Sequence, residues 1–120
     1  MSFLPIYKTL NTSAAVKALI DPAKQVHEDT APFKTPTPYI VWQAISGQAK
    51  NHLDTPANFD DTQFQLMVYA TTAKQAYELR EAARKALEND CWILNPSINN
   101  YESDTNLYAR GFDANYILPR

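Results

Sequence analysis

"TQFQLMVYATTAKQAYELREAARKAL", Thr62 to Leu87, changes its hydrophobic period once, and that change decides the fold. Up to Ala70, Phe64, Leu66 and Val68 alternate with Gln63, Gln65 and Met67. This is the two-residue repeat of a strand with one face in the core and a mixed opposite face. Beyond it, Ala76, Leu79, Ala83, Ala86 and Leu87 fall on one stripe at helical spacing. Thr72 and Gln75 form a T-x-x-Q capping box at the start of that helix. Glu78, Glu81, Arg84, Lys85 and Glu88 cover the other side, with Glu81 and Lys85 one turn apart and placed to pair. The stripe is mostly alanine, so a helix over about 72–89 should lie close against a sheet.

Further strands flank this unit. "YIVWQAIS", Tyr39 to Ser46, is rich in β-branched and aromatic residues and reads as a strand. Gly47 to Asp61 is polar and reads as a long hairpin connection with strand extensions at its root; such a segment is expected to be the least ordered before assembly. "APFKTPTP" is an extended connector, because each proline removes a donor and biases its predecessor away from helix. "KQVHEDT" reads as a short edge strand. Phe3 to Ile20 looks helical in two pieces, with Ser13 as the N-cap of the second and Asp21-Pro22 as its end. "CWILNPSI" reads as a strand interrupted at Pro96, Asn99 and Asn100 as turn residues, and the chain closes on a strand from about Asn106 to Leu118. The expected fold is α+β: a mainly antiparallel sheet with helices packed on one face, a two-layer sandwich forming one domain over residues 1–120.

The chain has 120 residues, 45% of them hydrophobic, enough to build a core without staples or metal. A net charge of −2 argues against a nucleic-acid binder, which would carry a basic patch. The one cysteine, Cys91, permits no internal disulfide. The N-terminus lacks the basic region of a signal peptide, and no apolar run approaches the roughly 20 residues that span a bilayer. The expectation is a soluble cytosolic protein with no membrane partner.

Little in the sequence suggests chemistry. Two glycines cannot make a phosphate loop or a dinucleotide fingerprint. Ser46 beside Gly47 lacks a nucleophile-elbow sequence. Cys91 precedes Trp92 in an apolar run, where a thiol is usually inert. His27-Glu28-Asp29 and His52 with Asp54 are the metal-like clusters, but zinc needs three or four convergent ligands, and neighbours on a strand point to opposite faces. Asp60 and Asp61 read as turn and cap formers. Tyr69, Tyr101, Tyr108 and Tyr116 lie on or beside strands, and serve either as core filling with cross-strand pairing or as an interface. In "DTNLYARGFDANYIL", Asp104 to Leu118, Arg110 and Asp113 are three apart and so lie on opposite faces of a strand unless Gly111 makes a bulge. A polar residue on each face suggests contacts to other chains, and an arginine fork suits a partner's carboxylate.

Three stretches carry a resemblance to a known family. "PTPYIVWQAISG" is similar to its proline-led first strand, "FQLMVYATTAKQAYELREAARKAL" to its strand–helix core, and "YESDTNLYARGFDANYI" to its closing strand. Their order and separations, over about Ala14 to Ile117, resemble the tail-completion or tail-terminator proteins of long-tailed bacteriophages, small head–tail joining components often found in prophages. "CWILNPSINN" matches that family only in length. The resemblance implies an α+β fold and a structural virion protein of the tail and neck, made in the host cytoplasm. It implies no catalytic residues, no cofactor and no metal. It also implies a homo-oligomeric ring, six-fold, that caps the tail tube protein and faces the head connector, from a subunit that can be monomeric in solution. The candidate contacts to a neighbouring subunit or to the tube are then Arg110, Asp113, Tyr69, Tyr108, His52 and Phe59. Other readings remain open: a head-closure or connector adaptor of the same neck, a small binding module with no phage role, or a hydrolase using His27 or His52.

Overall fold

A computed structural model describes residues 4–49 and 59–119. His52 and most of the expected hairpin connection lie outside the described residues, as does the expectation about that segment's order. The chain opens with three short helices, α1 (Ile6–Asn11), α2 (Ala14–Leu19) and α3 (Pro22–Gln25), and the edge strand β1 (Val26–Glu28). The strands β2 (Tyr39–Ala49) and β3 (Phe59–Ala70) follow, then the long helix α4 (Ala73–Leu87), then β4 (Cys91–Glu102) and β5 (Leu107–Pro119).

The five strands lie in the order β1-β2-β3-β5-β4. All pairings are antiparallel except β1 with β2. The fold is the expected α+β arrangement, with α4 packed on one face of the sheet. The alternation read in β3 holds: Phe64, Leu66 and Val68 are fully buried. Their cross-strand partners extend the same face, Trp42 and Phe112 beside Leu66, and Ile40 beside Val68. Phe64 is the aromatic centre, edge-on to Trp42 at 6.5 Å and to Phe112 at 6.4 Å between ring centroids. Onto this face α4 lays Ala76, Leu79, Ala83 and Leu87, all buried. Small alanines let the helix approach, and Leu79 and Leu87 are buried in the same core as the rings. Ile6, Leu10 and Val16 from α1 and α2 join the same core.

Local chemistry sets the helix ends. Thr72 Oγ1 accepts from the Gln75 N–H at 3.1 Å, and Ser13 Oγ accepts from the Val16 N–H at 3.3 Å, so both expected N-caps are in place. Asp21-Pro22 does more than end α2. Asp21 caps α3 by accepting from the Ala23 N–H at 3.2 Å, and Pro22 sits in the first turn, where its missing N–H costs nothing. Proline is both a helix stop and a helix start, and the sequence reading took only the first sense.

The far edge of the sheet corrects a second expectation. β4 is continuous through Pro96, and absorbs it with register shifts between Ile93 and Asn95 and between Asn95 and Ile98. Asn99 and Asn100 are strand residues paired with Arg110 and Ala109, not a turn. The turn lies later, and Asn106 takes its left-handed position with φ 57°. Pairing with β5 overrides the turn preference of two asparagines, and Arg80 of α4 contributes directly. Arg80 is only 6% exposed. Its Nη1 donates to Ser97 Oγ and to Asn99 Oδ1, both at 3.2 Å, and so ties the helix to the shifted part of β4. Its Nε lies 3.4 Å from a Glu81 carboxylate oxygen, so the ion pair of Glu81 is with Arg80 rather than the expected Lys85.

Gly111 pairs in regular register with Met67, and β5 itself does not bulge there; the shift between Asn95 and Ile98 lies in β4 and ends at the Ile98–Gly111 pair. The role of Gly111 is close approach. A Cβ at this position would collide with the Leu66 carbonyl oxygen and Met67 Sδ.

Candidate assembly surface

The opposite face of the sheet carries no helix among the described residues. Its side chains follow from the register. Gln63 pairs with Asn115, Gln65 with Asp113, Met67 with Gly111 and Tyr69 with Ala109, and β2 adds Tyr39, Val41 and Gln43. β4 adds Trp92 beside Asn115, and Ile98 beside Gly111. The face is thus a mixture of amides, the carboxylates of Asp113 and Glu102, and large apolar groups. Trp92 is 71% exposed, which is unusual for a ring of that size on an ordered strand. Asp113 is not free on this face, because Gln65 Nε2 donates to its Oδ1 at 3.2 Å.

At one end of this face Tyr39 and Tyr69 stack, with centroids 5.2 Å apart and planes 27° from parallel. They floor a depression of about 290 Å³ that Glu102, Asp29 and Thr105 also line. Burial pushes both phenols above their usual range, and the Glu102 carboxylate adds to the shift. Both rings therefore stay neutral hydrogen-bonding groups through the physiological range.

Behind that end, on the helix-bearing face, lies a second aromatic cluster. Tyr108 pairs across from Ala70 and Arg110 from Val68, which fixes their side. Tyr101 meets Tyr108 edge-on at 4.9 Å, and the Arg110 guanidinium lies 5.6 Å from the Tyr108 ring centroid. Arg110 Nη1 donates to the carbonyls of Asn100 and Ala109, each at 2.9 Å. Of the five donors on a guanidinium, Nε and Nη2 carry the rest.

The candidate residues therefore do not converge. Tyr69, Tyr108 and Arg110 share one end of the sheet, but Tyr69 is on the open face and the other two are on the helix side. Arg110 and Asp113 lie on opposite faces, as their spacing requires. Phe59 begins β3 against Pro119, ten residues from Tyr69 and so about 33 Å along the strand. Sequence reasoning missed Trp92 and Tyr39 on the open face, and Arg80 beneath β4. Arg80 follows Ala76 by four residues and precedes Ala83 by three, so the helical period alone puts it on the buried stripe.

Two of the residues weighed for chemistry, Cys91 and His27, are engaged within the fold. Burial, with Asp90 adding to it, pushes the Cys91 thiol up to about 12. His27 Nε2 lies 2.9 Å from the Lys24 carbonyl. Among the described residues no group of three or more His, Cys, Asp or Glu is placed to hold a metal ion, and no helix is long and apolar enough to cross a membrane.

One face of the sheet is thus committed to the core, and the other is bare, with amides and aromatic rings. Comparison with known proteins gives the family. The family model described as Tail completion protein gp17 matches residues 5–104, and the chain belongs to that family of non-enzymatic tail components of phage-like virions. The match stops at the turn before β5, so the closing strand lies beyond it. Among solved structures, the fold is shared with a chain of the virion of a native gene transfer agent particle. The TM-score is 0.72 at 14% identity, with 96% of this chain and 92% of that chain covered. No curated protein sequence matches.

Proposed function

We propose that the protein completes the tail by closing as a ring, six-fold, on the upper end of the tail tube. Its other surface then receives the head connector. The observation that carries this reading is the bare sheet face, with an open Trp92, the half-buried Val41 and the Tyr39–Tyr69 stack in one amide-bordered surface. Exposed apolar groups of this size beside polar ones mark a surface that meets another chain. A tube of identical rings stacked head-to-tail continues until something blocks its end, so a terminator must match the tube below and differ above. Arg110, through Nε and Nη2, and Asp113, Tyr69 and Tyr108 are proposed contacts to a neighbouring subunit or to the tube, as are His52 and Phe59. The free subunit can remain monomeric, because a tube end that presents several sites at once turns weak contacts into a stable ring.

A virus lacking the protein tests this reading. It should make DNA-filled heads and separate, unjoined tails, some of them overlong, in electron micrographs of lysates. Complete infectious particles with tails of normal length would defeat it.

A further inference from the structure

The depression at one end of the bare face holds two acids of a different kind from those on the helix. On α4, Glu78, Glu81 and Glu88 each have a cation within the chain: Lys74 at 3.9 Å, Arg80 at 3.4 Å and Arg84 at 3.7 Å. In the depression, Asp29 and Glu102 stand with Tyr39 and Tyr69, and no lysine or arginine is among the lining residues. Among the described residues, neither carboxylate makes a hydrogen bond or an ion pair, and neither phenol hydroxyl has a partner. Arg110 lies at the same end of the sheet but on its other face, where it donates to the Asn100 and Ala109 carbonyls.

Strand order sets the two acids apart. Asp29 follows β1 at one edge of the sheet, and Glu102 ends β4 at the other, so the tyrosine stack of β2 and β3 lies between them. Val41 and Ala31 add apolar wall. The Glu102 charge reaches both phenols, since it adds to burial in raising them, and the neutral phenol oxygens are free to accept. The site therefore offers unbalanced negative charge on two sides of an aromatic pair. An arginine fits that combination. Its guanidinium is planar and weakly hydrated, lies readily against aromatic rings, and carries donors that can reach two carboxylates at once. A lysine ammonium is a compact, strongly hydrated point charge and gains less from rings and apolar walls.

We propose that this depression receives an arginine side chain of a partner protein, with Asp29 and Glu102 accepting from its guanidinium and the Tyr39–Tyr69 pair packed beside it. The proposal rests on the reading that the bare face meets another chain, and names what that chain must bring to this end of it.

The test has two arms, both with the full-length chain. In the first, the free subunit is titrated with N-acetyl-arginine amide while the ring resonances of Tyr39 and Tyr69 are followed by NMR. N-acetyl-lysine amide and the uncharged N-acetyl-citrulline amide serve as comparisons. Saturable shifts are expected with the arginine probe, weaker binding with lysine and none with citrulline. Asp29→Asn and Glu102→Gln should each weaken arginine binding by up to about fivefold, the range of one exposed ion pair, and the double variant should weaken it further. Both acids are exposed, and asparagine tolerates the left-handed φ of 68° that Asp29 holds, so melting curves of the variants should overlay the parent. In the second arm, purified subunit is added to tails from a virus that lacks it, and bound copies are counted after sedimentation. The double variant should bind tails more weakly than the parent, and Glu102→Lys more weakly still. An arginine probe that gives no saturable shift, a citrulline probe that matches it, or a lysine probe that binds more tightly overturns the proposal. A double variant that adds to tails as well as the parent also overturns it, and leaves the assembly reading standing. A parent protein that never adds to tails overturns the assembly reading, and this proposal with it.

Discussion

The two faces of the sheet are built from the same strands and the same alternation, yet they serve different ends. On one, Phe64, Leu66, Val68 and Phe112 meet the alanine stripe of α4 and disappear from solvent. On the other, the residues between them are Gln63, Gln65, Met67 and Asp113, bordered by tyrosines and an open Trp92. The first face gives the subunit its stability. The second buries less of its side chains, and is the face proposed to meet another chain. Substitutions on the two faces should therefore separate into those that unfold the subunit and those that spare the fold and disable assembly.

The largest effect is expected at the centre of the covered face. Phe64→Ala removes the ring that both Trp42 and Phe112 pack against, and should cost about 3–5 kcal/mol in chemical denaturation. Leu79→Ala, at a site 1% exposed, should cost about 2–5 kcal/mol. A loss at either site as small as that of a surface change would mean that α4 is not seated as described. Gly111→Ala should follow, at about 1–3 kcal/mol or more, because the added methyl meets a backbone carbonyl that cannot swing away. Here the open face is constrained by packing within the sheet rather than by a partner.

A smaller effect is pH-dependent. The Cys91 thiol is raised from 9.0 to about 12 by burial, so the folded chain holds its proton where the unfolded chain has released it. Stability from this group is therefore fully present below about pH 9 and falls as pH rises toward 12. Unfolding measured across that window should show the decline, to which Tyr39, Tyr69 and Tyr116, raised from 10.0 by burial, also contribute, and Cys91→Ala should make it shallower, most of all between pH 9.0 and 10.0. An unchanged slope in the variant would assign the decline to other groups.

Arg110→Glu should cost only about 1 kcal/mol of stability, the scale of a lost hydrogen bond at a partly exposed site. It should nevertheless weaken assembly on tails. Smallest of all for folding is Trp92→Ala, within about 0.5 kcal/mol of the parent, although it removes the most exposed large group of the open face. If Trp92→Ala were as destabilising as Phe64→Ala, the contrast between the faces would collapse.

Much of the covered face was legible because it rests on short-range regularities. The alternation in Thr62–Ala70, the alanine stripe and the Thr72 cap are each contained in a few consecutive residues. What was hidden depends on pairing between distant residues. Asn99 and Asn100 look like a turn until Arg80, nineteen residues from Asn99, holds Asn99 to the helix. β1 looks like any edge strand, and only its register with Ile40 shows it to be parallel. The candidate surface suffered most. Parity within one strand separates Arg110 from Asp113, but it cannot say that Tyr69 lies behind Tyr108, because that needs the register of β3 on β5. Nor does any local pattern mark Trp92, which reads as one more apolar residue in "CWILNPSI".

The central claim is that the bare face is the assembly surface, and oxidative footprinting tests it most directly. The free subunit and the subunit on isolated tails are exposed to the same dose of hydroxyl radical, and modification is read residue by residue. Trp92 should be modified readily in the free chain and strongly protected on tails, with Tyr69 and Tyr39 following it. The buried Phe64 and Phe112 should be unreactive in both. Equal modification of Trp92 in the free and the assembled protein would contradict the account, because the most exposed ring of that face would then meet nothing in the finished tail.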